Sequence, residues 1–568
     1  MELSRSELRL AFATFRPALR GQRLRIAGAV LLSFAVTGLE LLRPWPITLV
    51  IDHLVAEDDN ANVAIAPLVV FAAIAFVIPL LLGLANERLQ LVVARVSRKA
   101  TVRIRSDVFE HMQRLELSEH KQHYTGDLLT RLMGDVSMIR DLLFPSWLNL
   151  LSRTSILIGG SVVFALVDWR LLLVALIPIP LLWLTIKRGS SAVKVAARSQ
   201  RRKSGAIAAT AAESLRHVGL IKAFSAEART TAEFRTDAAG VETSTMAAAK
   251  HAARMTRLTE IISGAGIAMV LVIGAQRVRG GNITPGQLIL AISYTRLMYK
   301  PIRQLTKEWI RIAKATASAT RVMSLLDKPS EDPAKGSPVE QLTGDIEFAD
   351  LSHTYPDGRN SIDGLTVRIP SGALVAIVGE NGSGKSTLLS LLLRLYEPER
   401  GEIRIGGQSI ADLQLASYRD QMAYVPQDLA LLGGTIRSNL ILGKPDASDA
   451  EIAAATDAAL FTPVLDQLAD GLDTVLDENG ASLSGGQARR LMLARAALRD
   501  ASVLLLDEPL SGLDPAARRI VANAITNIAG GRTTLVVHHG DLNELSPDYQ
   551  LDLTGLHRPT PVSEVAGR

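Results

Sequence analysis

The sequence predicts an all-α membrane domain of six spanning helices with long cytoplasmic helical extensions, followed by an α/β domain built on a largely parallel sheet. Two observations predict this division. Apolar segments long enough to cross a bilayer are confined to the chain before residue 325, although 48% of all 568 residues are hydrophobic. After residue 345, short apolar runs alternate with segments of helical spacing, as in a sheet whose parallel strands are joined by helices.

The six predicted spans are the apolar stretches at 24–50, 63–86, 145–167, 170–187, 259–277 and 284–304. Six arginines lie within the first 25 residues, whereas the loop at 53–63 has acidic residues and no Lys or Arg. The positive-inside rule therefore predicts a cytoplasmic N-terminus. The first apolar run is too long for the core of a signal peptide and has no small-residue cleavage site, so it is expected to remain as a span.

Two polar, Arg-rich segments at 87–142 and 188–257 have a helical pattern and predict cytoplasmic extensions of the spans. The loop that carries Arg277 and Arg279 is an exception to the charge rule, because it is predicted to face outward. We expect an integral protein of a bacterial inner membrane, with the N-terminus and the α/β domain in the cytoplasm.

A polar, proline-bearing stretch after residue 326 predicts a linker between the two parts of the chain. The predicted division is a transmembrane domain at 1–326, a linker at 327–344 and an α/β domain at 345–568.

The composition excludes several kinds of chemistry. The sequence contains no cysteine, which excludes disulfides, thiolate metal sites and thiol nucleophiles. Its net charge is +5, and Lys and Arg gather around apolar segments instead of forming a stripe interleaved with aromatic residues. This distribution is typical of membrane flanks and predicts no nucleic-acid partner.

A strand-like run, Leu374–Val378, leads directly into a glycine-rich loop that is followed by a helical run. This pattern predicts a phosphate-binding loop, in which backbone N–H groups face the phosphates, Lys385 reaches the β and γ oxygens and Ser386 ligates magnesium. A purely structural glycine turn is the alternative, and the strand, loop and helix context argues against it. The predicted loop comprises Gly379, Glu380, Asn381, Gly382, Ser383, Gly384, Lys385, Ser386 and Thr387.

A second apolar run, at 503–506, ends in Asp507 and Glu508 at the carboxyl end of a predicted parallel strand. We predict that Asp507 holds magnesium through water and that Glu508 polarises the water that attacks the γ-phosphate. An isolated Asp-Glu pair is more often a solvated turn. Its combination with the phosphate-binding loop favours the catalytic interpretation.

Between these motifs, the run Leu483-Ser484-Gly485-Gly486-Gln487 resembles the signature sequence of ATP-binding cassette (ABC) proteins. Alone, it would be interpreted as a glycine turn that caps the next helix. Two further residues fit the family in order and spacing. Tyr355 resembles its aromatic platform for adenine, and Gln427 resembles the loop glutamine that joins magnesium to the membrane domain. Taken singly, each is more often a core aromatic or a surface amide.

The membrane half also resembles ABC exporters. The stretch 124–136 resembles the end of the first intracellular loop, just beyond its coupling helix, and 213–227 resembles the second loop, with its coupling helix near 224–227. The stretch 281–288 resembles the start of the last span. This fusion of both parts in one chain does not fit importers, because their membrane subunits are usually separate chains.

The resemblance implies a half-transporter that works as a dimer in a lipid membrane, with an identical or a different partner chain. Each ATP, with its Mg²⁺, would lie between the phosphate-binding loop of one chain and the stretch Ser484 to Gln487 of the other. Closure of the ATPase domains on ATP would turn the membrane cavity outward, and hydrolysis would reset it. The implied residue set is catalytic Glu508, His539, Gln427 and Lys385, ATP-binding Tyr355, Ser484, Gly485, Gly486, Gln487 and Asp514, and Mg²⁺-binding Ser386, Gln427 and Asp507.

The chain departs from the family pattern in three places. The switch histidine usually lies in Ala-His-Arg, whereas this chain has His538-His539-Gly540; counting from the strand selects His539, and His538 remains the alternative. The loop Ser511–Asp514 has Gly at its second position, where Ala is commoner, and keeps Asp514. The customary last strand is not evident in 550–568, so a trimmed C-terminal subdomain is expected.

Evidence for the transported species is limited. Glu40 and Arg43 lie three residues apart on one face of the first predicted span, where they could contact substrate or neutralise each other. Pro44 and Pro46 predict a kink just after them. The mainly aliphatic spans favour an amphipathic or apolar lipid, peptide or drug-like molecule.

Two other functions share some of these features. A regulatory, low-activity subunit of a heterodimer would explain the altered switch loop and the short C-terminus. A soluble ABC ATPase of translation or repair would share the nucleotide motifs but would lack the spans.

Overall fold

The structure, a computed structural model, describes residues 5–56, 65–122, 125–355, 358–477, 482–539, 544–554 and 556–561. It consists of two compact units. The first comprises Met1–Glu110 and Gly126–Asp327, and the second comprises His111–Thr125 and Lys328–Arg568. The predicted fold class is confirmed, since a helical membrane region is followed by an α/β domain. The predicted domain boundaries remain predictions.

The first unit is helical throughout its described part. Its longest helices are Ile65–Arg114, Glu227–Arg279 and Pro285–Leu326. A π-helical turn, Arg131–Asp135, interrupts the helix that leads into the third predicted span. The remaining helices are Arg5–Phe15, Arg23–Leu42, Trp45–Ala56, Thr125–Thr130, Val136–Leu143, Pro145–Leu176, Pro178–Arg216 and Val218–Ala223.

Four helical stretches in the described ranges are long and apolar enough to cross a membrane: Arg23–Val55, Ile65–Arg114, Thr125–Leu176 and Glu227–Arg279. The segments predicted as spans at 170–187 and 284–304 also lie in helices. An integral membrane protein is thereby supported, and the number of six spans remains a prediction.

The first predicted span is divided where the sequence places its prolines. One helix ends at Leu42 and the next begins at Trp45. Tyr294 stabilises this break, because its hydroxyl donates to the Leu41 carbonyl at 2.5 Å and accepts from the Trp45 indole at 3.0 Å. The kink predicted from Pro44 and Pro46 is therefore present, and a side chain of the last predicted span satisfies a carbonyl beside it.

Glu40 and Arg43 flank the end of the helix Arg23–Leu42. Glu40 is partly buried and Arg43 is exposed. No ion pair joins them in the part of the chain that the structure describes, so their mutual neutralisation gains no support. Contact with substrate remains a prediction.

Asp168 interrupts the helix Pro145–Leu176, since its backbone is not helical (φ −159°, ψ 108°). Its Oδ1 accepts hydrogen bonds from the N–H groups of Arg170 at 2.8 Å and Leu171 at 3.2 Å, as in a helix N-cap. Its Oδ2 is bonded to the Arg277 guanidinium, and its side chain is only 3% exposed. Arg277, the predicted exception to the charge rule, is thus neutralised by a buried carboxylate.

Replacing Arg277 with Gln should lower the free energy of unfolding by about 3 kcal/mol, because it leaves the Asp168 carboxylate buried without a counter-charge. Thermal unfolding in detergent measures the effect. Arg279→Gln is the matched control, since Arg279 is an exposed arginine two residues along the same helix. An equal loss of stability in the two variants would contradict this account of the ion pair.

The described residues of the second unit form twelve strands in three sheets. In chain order they are β1 Ile346–Thr354, β2 Asn360–Ile369, β3 Leu374–Val378, β4 Arg400–Ile405, β5 Gln408–Ser409, β6 Met422–Val425, β7 Gly434–Thr435, β8 Val475–Leu476, β9 Val503–Asp507, β10 Thr533–Val537, β11 Tyr549–Asp552 and β12 Leu556–Pro561. The helices are Leu117–Gln122, Lys385–Leu392, Leu415–Asp420, Ile436–Leu440, Asp449–Ala458, Thr462–Leu465, Gly485–Leu498 and Pro515–Ala529.

The largest sheet has the order β12-β11-β3-β10-β9-β6, and its strands are parallel except for β12. An antiparallel sheet of order β2-β1-β4-β5 and a small pair, β7-β8, complete the unit. Because β3, β10 and β9 are neighbours, the residues that follow their carboxyl ends converge at one edge.

All five residues of β9 are buried. Leu504 and Leu506 belong to one apolar cluster, whereas Val503 and Leu505 belong to another. Since alternate side chains of a strand point to opposite faces, the sheet is covered on both sides. This cover holds the strand firmly, and the partly buried Glu508 follows directly after its carboxyl end.

Two expectations about loops and termini were wrong. The C-terminal subdomain contains the strand that was expected to be missing. This strand, β11, pairs in parallel with β3 and in antiparallel with β12. The strand was missed because only Leu551 of β11 is fully buried, so no apolar run marks it. The segment predicted as a coupling helix at 224–227 is mainly a turn, and the short helix is Val218–Ala223.

Candidate functional site

The phosphate-binding loop lies between β3 and the helix Lys385–Leu392, as the sequence predicts. Gly384 has φ +93°, and a Cβ there would lie 2.3 Å from the Ser361 carbonyl oxygen. Gly379 has φ +147°, and a Cβ there would lie 2.7 Å from Ser383 Oγ. Only glycine fits both positions without strain, which leaves the backbone close to where phosphates would bind.

Lys385 is held within this loop. Its Nζ donates hydrogen bonds to the carbonyls of Gly379 at 2.9 Å and Glu380 at 2.7 Å. Burial lowers the pKa of Lys385, while the carboxylates of Glu508 and Asp507 act in the opposite direction. The ammonium group is therefore positioned between the loop and two carboxylates, where a phosphate could exchange for its carbonyl partners.

Ser386 and Asp507 are brought together from different elements. Ser386 Oγ donates to Asp507 Oδ1 at 3.0 Å. Burial raises the pKa of Asp507, and this hydrogen bond lowers it. A hydroxyl and a carboxylate at this separation form an oxygen-only donor set of the kind that Mg²⁺ prefers, together with phosphate oxygens. The two residues therefore fit the magnesium role predicted for them.

Glu508 is the centre of a second group. It has φ +47°, a strained value for a residue other than glycine. Its Oε2 accepts a hydrogen bond from Gln427 Nε2 at 2.9 Å, and its Oε1 lies 3.0 Å from His539 Nε2. The structure thus joins three of the predicted catalytic residues, and it places Gln427 at Glu508 rather than at Ser386 and Asp507.

The two histidines after β10 have different surroundings. His538 is buried and its backbone N–H donates to the Ile377 carbonyl at 3.1 Å, which continues the pairing with β3. His539, one residue on, has its imidazole at Glu508. The geometry therefore favours His539 over His538 as the histidine of the site. Gly540, which also belongs to the predicted loop, lies outside the described residues.

Arg489, which the sequence did not single out, holds the Gln427 segment. Its guanidinium donates to the Pro426 carbonyl at 2.8 Å and is also bonded to the Gln427 carbonyl. Burial lowers the pKa of Arg489, and the nearby carboxylates of Asp428, Glu508 and Asp507 raise it. The sequence places Arg489 on the helical run that follows the signature sequence, but its burial arises only in the fold. Its partners are backbone carbonyls, which sequence spacing cannot identify.

Tyr355, the predicted adenine platform, is supported from several sides. Its hydroxyl lies 2.8 Å from Thr387 Oγ1, which ties it to the phosphate-binding loop. Tyr396 packs against its ring edge-on, with 5.3 Å between the centroids. Lys121 Nζ lies 5.4 Å from the centroid of the Tyr355 ring, in cation–π range. Neither Tyr396 nor Lys121 was predicted, because both contacts arise only in the folded unit.

Replacing Tyr355 with Ala should raise the KM for ATP by about tenfold or more, since base stacking on an aromatic ring contributes roughly 1–3 kcal/mol. Tyr355→Phe keeps the ring and loses only the contact with Thr387, so its KM should rise less than about threefold. Steady-state ATPase assays of both variants measure the difference. Equal KM increases for Ala and Phe would assign the effect to the hydroxyl and would contradict the stacking role.

The signature residues Ser484 and Gln487 form a capping box at the start of the helix Gly485–Leu498. Ser484 and Gly485 are exposed, and Gly486 is buried. Within the described residues, no hydrogen bond connects the stretch 484–487 with the loop at 379–387. Asp514 caps another helix, since its Oδ1 accepts from the N–H groups of Ala516 and Ala517 at 3.0 Å.

Two family profiles match the chain. The family described as ABC transporter transmembrane region matches residues 26–302, and the family described as ABC transporter matches residues 362–511. Among solved structures, that of a bacterial Atm1-family ABC exporter with ATP bound has a TM-score of 0.80 and 25% identity, over 95% of each chain.

Curated relatives extend over most of the chain. An uncharacterized ABC transporter ATP-binding protein, YfiC of Bacillus subtilis, is 31% identical over 88% of this chain and 82% of its own length. An ATP-dependent lipid A-core flippase of Desulfotalea psychrophila is 30% identical over 86% of this chain and 85% of its own length. A flippase of the same name from Chromobacterium violaceum is 29% identical over 81% and 79%.

Proposed function

Because the chain belongs to the ABC transporter family, as an exporter of the half-transporter type, we propose that two copies form the active unit and that its cargo is an amphipathic lipid. The chain hydrolyses ATP and couples hydrolysis to transport. The observation that carries the catalytic part of this proposal is the position of Glu508 between Gln427 and His539.

Glu508 is the general base of the proposed mechanism. The water that attacks the γ-phosphate gives up its proton towards the Glu508 carboxylate as the new P–O bond forms. Gln427 and His539 each contact one oxygen of this carboxylate, so its plane is fixed by two partners. The strained backbone at Glu508 costs some stability of the fold, as is common at active sites where a side chain must keep one orientation.

Lys385 exchanges its two carbonyl partners for the β- and γ-phosphate oxygens when ATP binds. Ser386 and Asp507 would hold Mg²⁺, which would neutralise phosphate charge. Tyr355 stacks on the adenine. These roles position ATP and need no covalent intermediate with the protein.

The exposed position of Ser484 and Gly485 supports a dimer. These two residues begin a helix whose N-terminus can stabilise a phosphate, yet they have no hydrogen bond to their own phosphate-binding loop in the described part of the chain. A second copy supplies the missing half of each ATP site. ATP binding then favours the closed arrangement by population shift.

The lipid cargo is supported by the mainly aliphatic spans and by two flippases among the relatives, each named as acting on lipid A-core. The Arg-rich first 25 residues support a cytoplasmic N-terminus and ATPase domain at a bacterial inner membrane.

ATPase activity of the purified chain in liposomes tests this proposal. A panel of lipids, peptides and drug-like molecules is compared at equal concentration, and lipids are expected to stimulate turnover most. Stimulation by peptides or drugs alone would contradict the lipid assignment. Absence of turnover by the chain alone would instead favour the low-activity subunit of a heterodimer, against which the contact between His539 and Glu508 argues.

A further inference from the structure

Lys121 lies beside the predicted adenine platform, although it comes from the part of the sequence that contains the predicted spans. It belongs to the helix Leu117–Gln122, in the loop between the second and third predicted spans. This loop end folds within the second unit, which comprises His111–Thr125 and Lys328–Arg568. A side chain from the loop between two spans is therefore part of the unit that carries the nucleotide motifs.

The stretch that carries Lys121 is anchored on this unit. Leu115 forms an antiparallel bridge with Ser330, and Lys328 Nζ donates to Glu119 Oε1 at 3.1 Å. Leu117 packs against the apolar cluster that includes side chains of β1 and β3. Since Leu117 and Glu119 lie only four and two residues before Lys121, the lysine side chain starts from a fixed backbone.

Two perpendicular tyrosine rings lie near the Lys121 ammonium group. Its Nζ lies 5.4 Å from the Tyr355 centroid and 5.2 Å from the Tyr396 centroid. The two centroids are 5.3 Å apart, and the ring planes meet at 86°. The three distances form a nearly equilateral triangle, so one cation lies in cation–π range of both rings. The Arg359 guanidinium also lies near Tyr355, at 5.1 Å, but it is only four residues away in the chain.

Of the two rings, Tyr355 is the one that a base can reach. Tyr396 is only 7% exposed, and its hydroxyl is buried without a hydrogen-bond partner in the described part of the chain. Tyr355 is partly exposed, and its hydroxyl lies 2.8 Å from Thr387 Oγ1 in the phosphate-binding loop. Tyr396 therefore serves as a fixed wall. Lys121 links the Tyr355 ring to this wall, because its charge is attracted to both rings.

We propose that Lys121 positions the ring of Tyr355 for the adenine base, so that bound ATP and the loop between the second and third predicted spans stabilise each other. Lys121 acts through this ring and not through the phosphates. Such a coupling is reciprocal, because a residue that strengthens ATP binding is itself held more firmly when ATP is bound. ATP thereby fixes the end of this loop on the ATPase unit. The inference rests on the stacking role of Tyr355 in the proposed function and adds a positioning residue to it.

Equilibrium binding to the full chain in detergent tests the proposal with ATP and with inorganic tripolyphosphate, which has no base. All variants are made in the Glu508→Gln chain, in which ATP stays intact. Lys121→Gln should raise the Kd for ATP about three- to tenfold, as for the loss of a partly shielded cation–π contact, and should change the Kd for tripolyphosphate less than about twofold. Lys121→Arg keeps the cation and should bind ATP within about twofold of the parent.

The matched control is Lys335→Gln, which removes an exposed lysine of the same unit and should change the Kd for ATP less than about twofold. A double-variant cycle shows whether Lys121 acts through the ring. In the Tyr355→Ala chain, Lys121→Gln should raise the Kd for ATP less than about twofold further, because the ring on which it acts is gone.

Hydrogen exchange measures the reciprocal effect on the loop. ATP should slow amide exchange in residues 111–122 of the parent chain, and this protection should be lost with Lys121→Gln. Because exchange is measured without ATP turnover or cargo, the result does not depend on whether the chain exports a lipid.

Three results would overturn the proposal. They are equal weakening of ATP and tripolyphosphate binding by Lys121→Gln, an undiminished effect of Lys121→Gln in the Tyr355→Ala chain, and equal protection of residues 111–122 by ATP with and without Lys121. ATP binding that is unchanged by Tyr355→Ala would contradict the adenine platform itself. Weaker binding with Tyr355→Ala but not with Lys121→Gln would contradict this inference alone.

Discussion

Replacing Glu508 with Gln should slow ATP hydrolysis by about 10²- to 10⁴-fold while ATP binding is retained. Gln has nearly the same shape and can still hydrogen-bond to Gln427 and His539, so the site keeps its geometry. It cannot accept the proton of the attacking water. The fall in the rate of ATP hydrolysis therefore measures the contribution of proton transfer to Glu508.

Phosphate release by the reconstituted chain, together with equilibrium ATP binding, measures this effect. Glu402→Gln is the control, since Glu402 is a carboxylate on β4 whose partner is the surface residue Arg404. Its rate should stay within about twofold of the native rate, as for a surface substitution. Hydrolysis by Glu508→Gln at the native rate would show that another group activates the water.

The second large effect concerns the dimer. Gly485→Asp should abolish hydrolysis, because it places a carboxylate at the helix N-terminus that faces the phosphates of the partner's ATP. The residue itself tolerates a side chain, since a Cβ there would meet nothing closer than 3.6 Å, at Leu513. Loss of activity would therefore reflect charge at the shared site and not local unfolding.

Mixing Gly485→Asp with Glu508→Gln chains tests whether the site is shared. In a mixed dimer one ATP site carries both substitutions and the other carries neither, so each mixed dimer keeps one intact site. Random assortment of two inactive chains makes half of the dimers mixed, and activity should return to about a quarter of the native value. If each site were built within one chain, both sites of a mixed dimer would be defective and the mixture would stay inactive.

The parts of the ATP site that could be predicted from the sequence are those formed by residues that are consecutive in the chain. β3, the glycine-rich loop and the next helix follow from consecutive residues, and the end of β9 follows from an apolar run that stops at Asp507. The sequence could not decide between His538 and His539, because the decision depends on which of the two side chains faces Glu508 in the folded chain. Neighbouring parallel strands bring these residues together.

Other features could not be predicted because their partners are distant in sequence. Arg489 reaches backbone carbonyls about sixty residues away, and Lys121 approaches Tyr355 from a helix more than two hundred residues earlier. Strand β11 could not be predicted because it is short and has one fully buried side chain. It is defined by its pairing with β3. Residue types alone carry no signal for such contacts.

The most direct test of ATP-driven lipid export is movement of a fluorescent phospholipid in liposomes that contain the purified chain, with the ATPase domains facing outward. The probe is supplied in the outer leaflet, and protection from a membrane-impermeant quencher reports its transfer to the inner leaflet. ATP-driven lipid export predicts transfer that requires ATP and Mg²⁺ and is lost in Glu508→Gln. Transfer at the same rate without ATP, or in the Glu508→Gln chain, would contradict it.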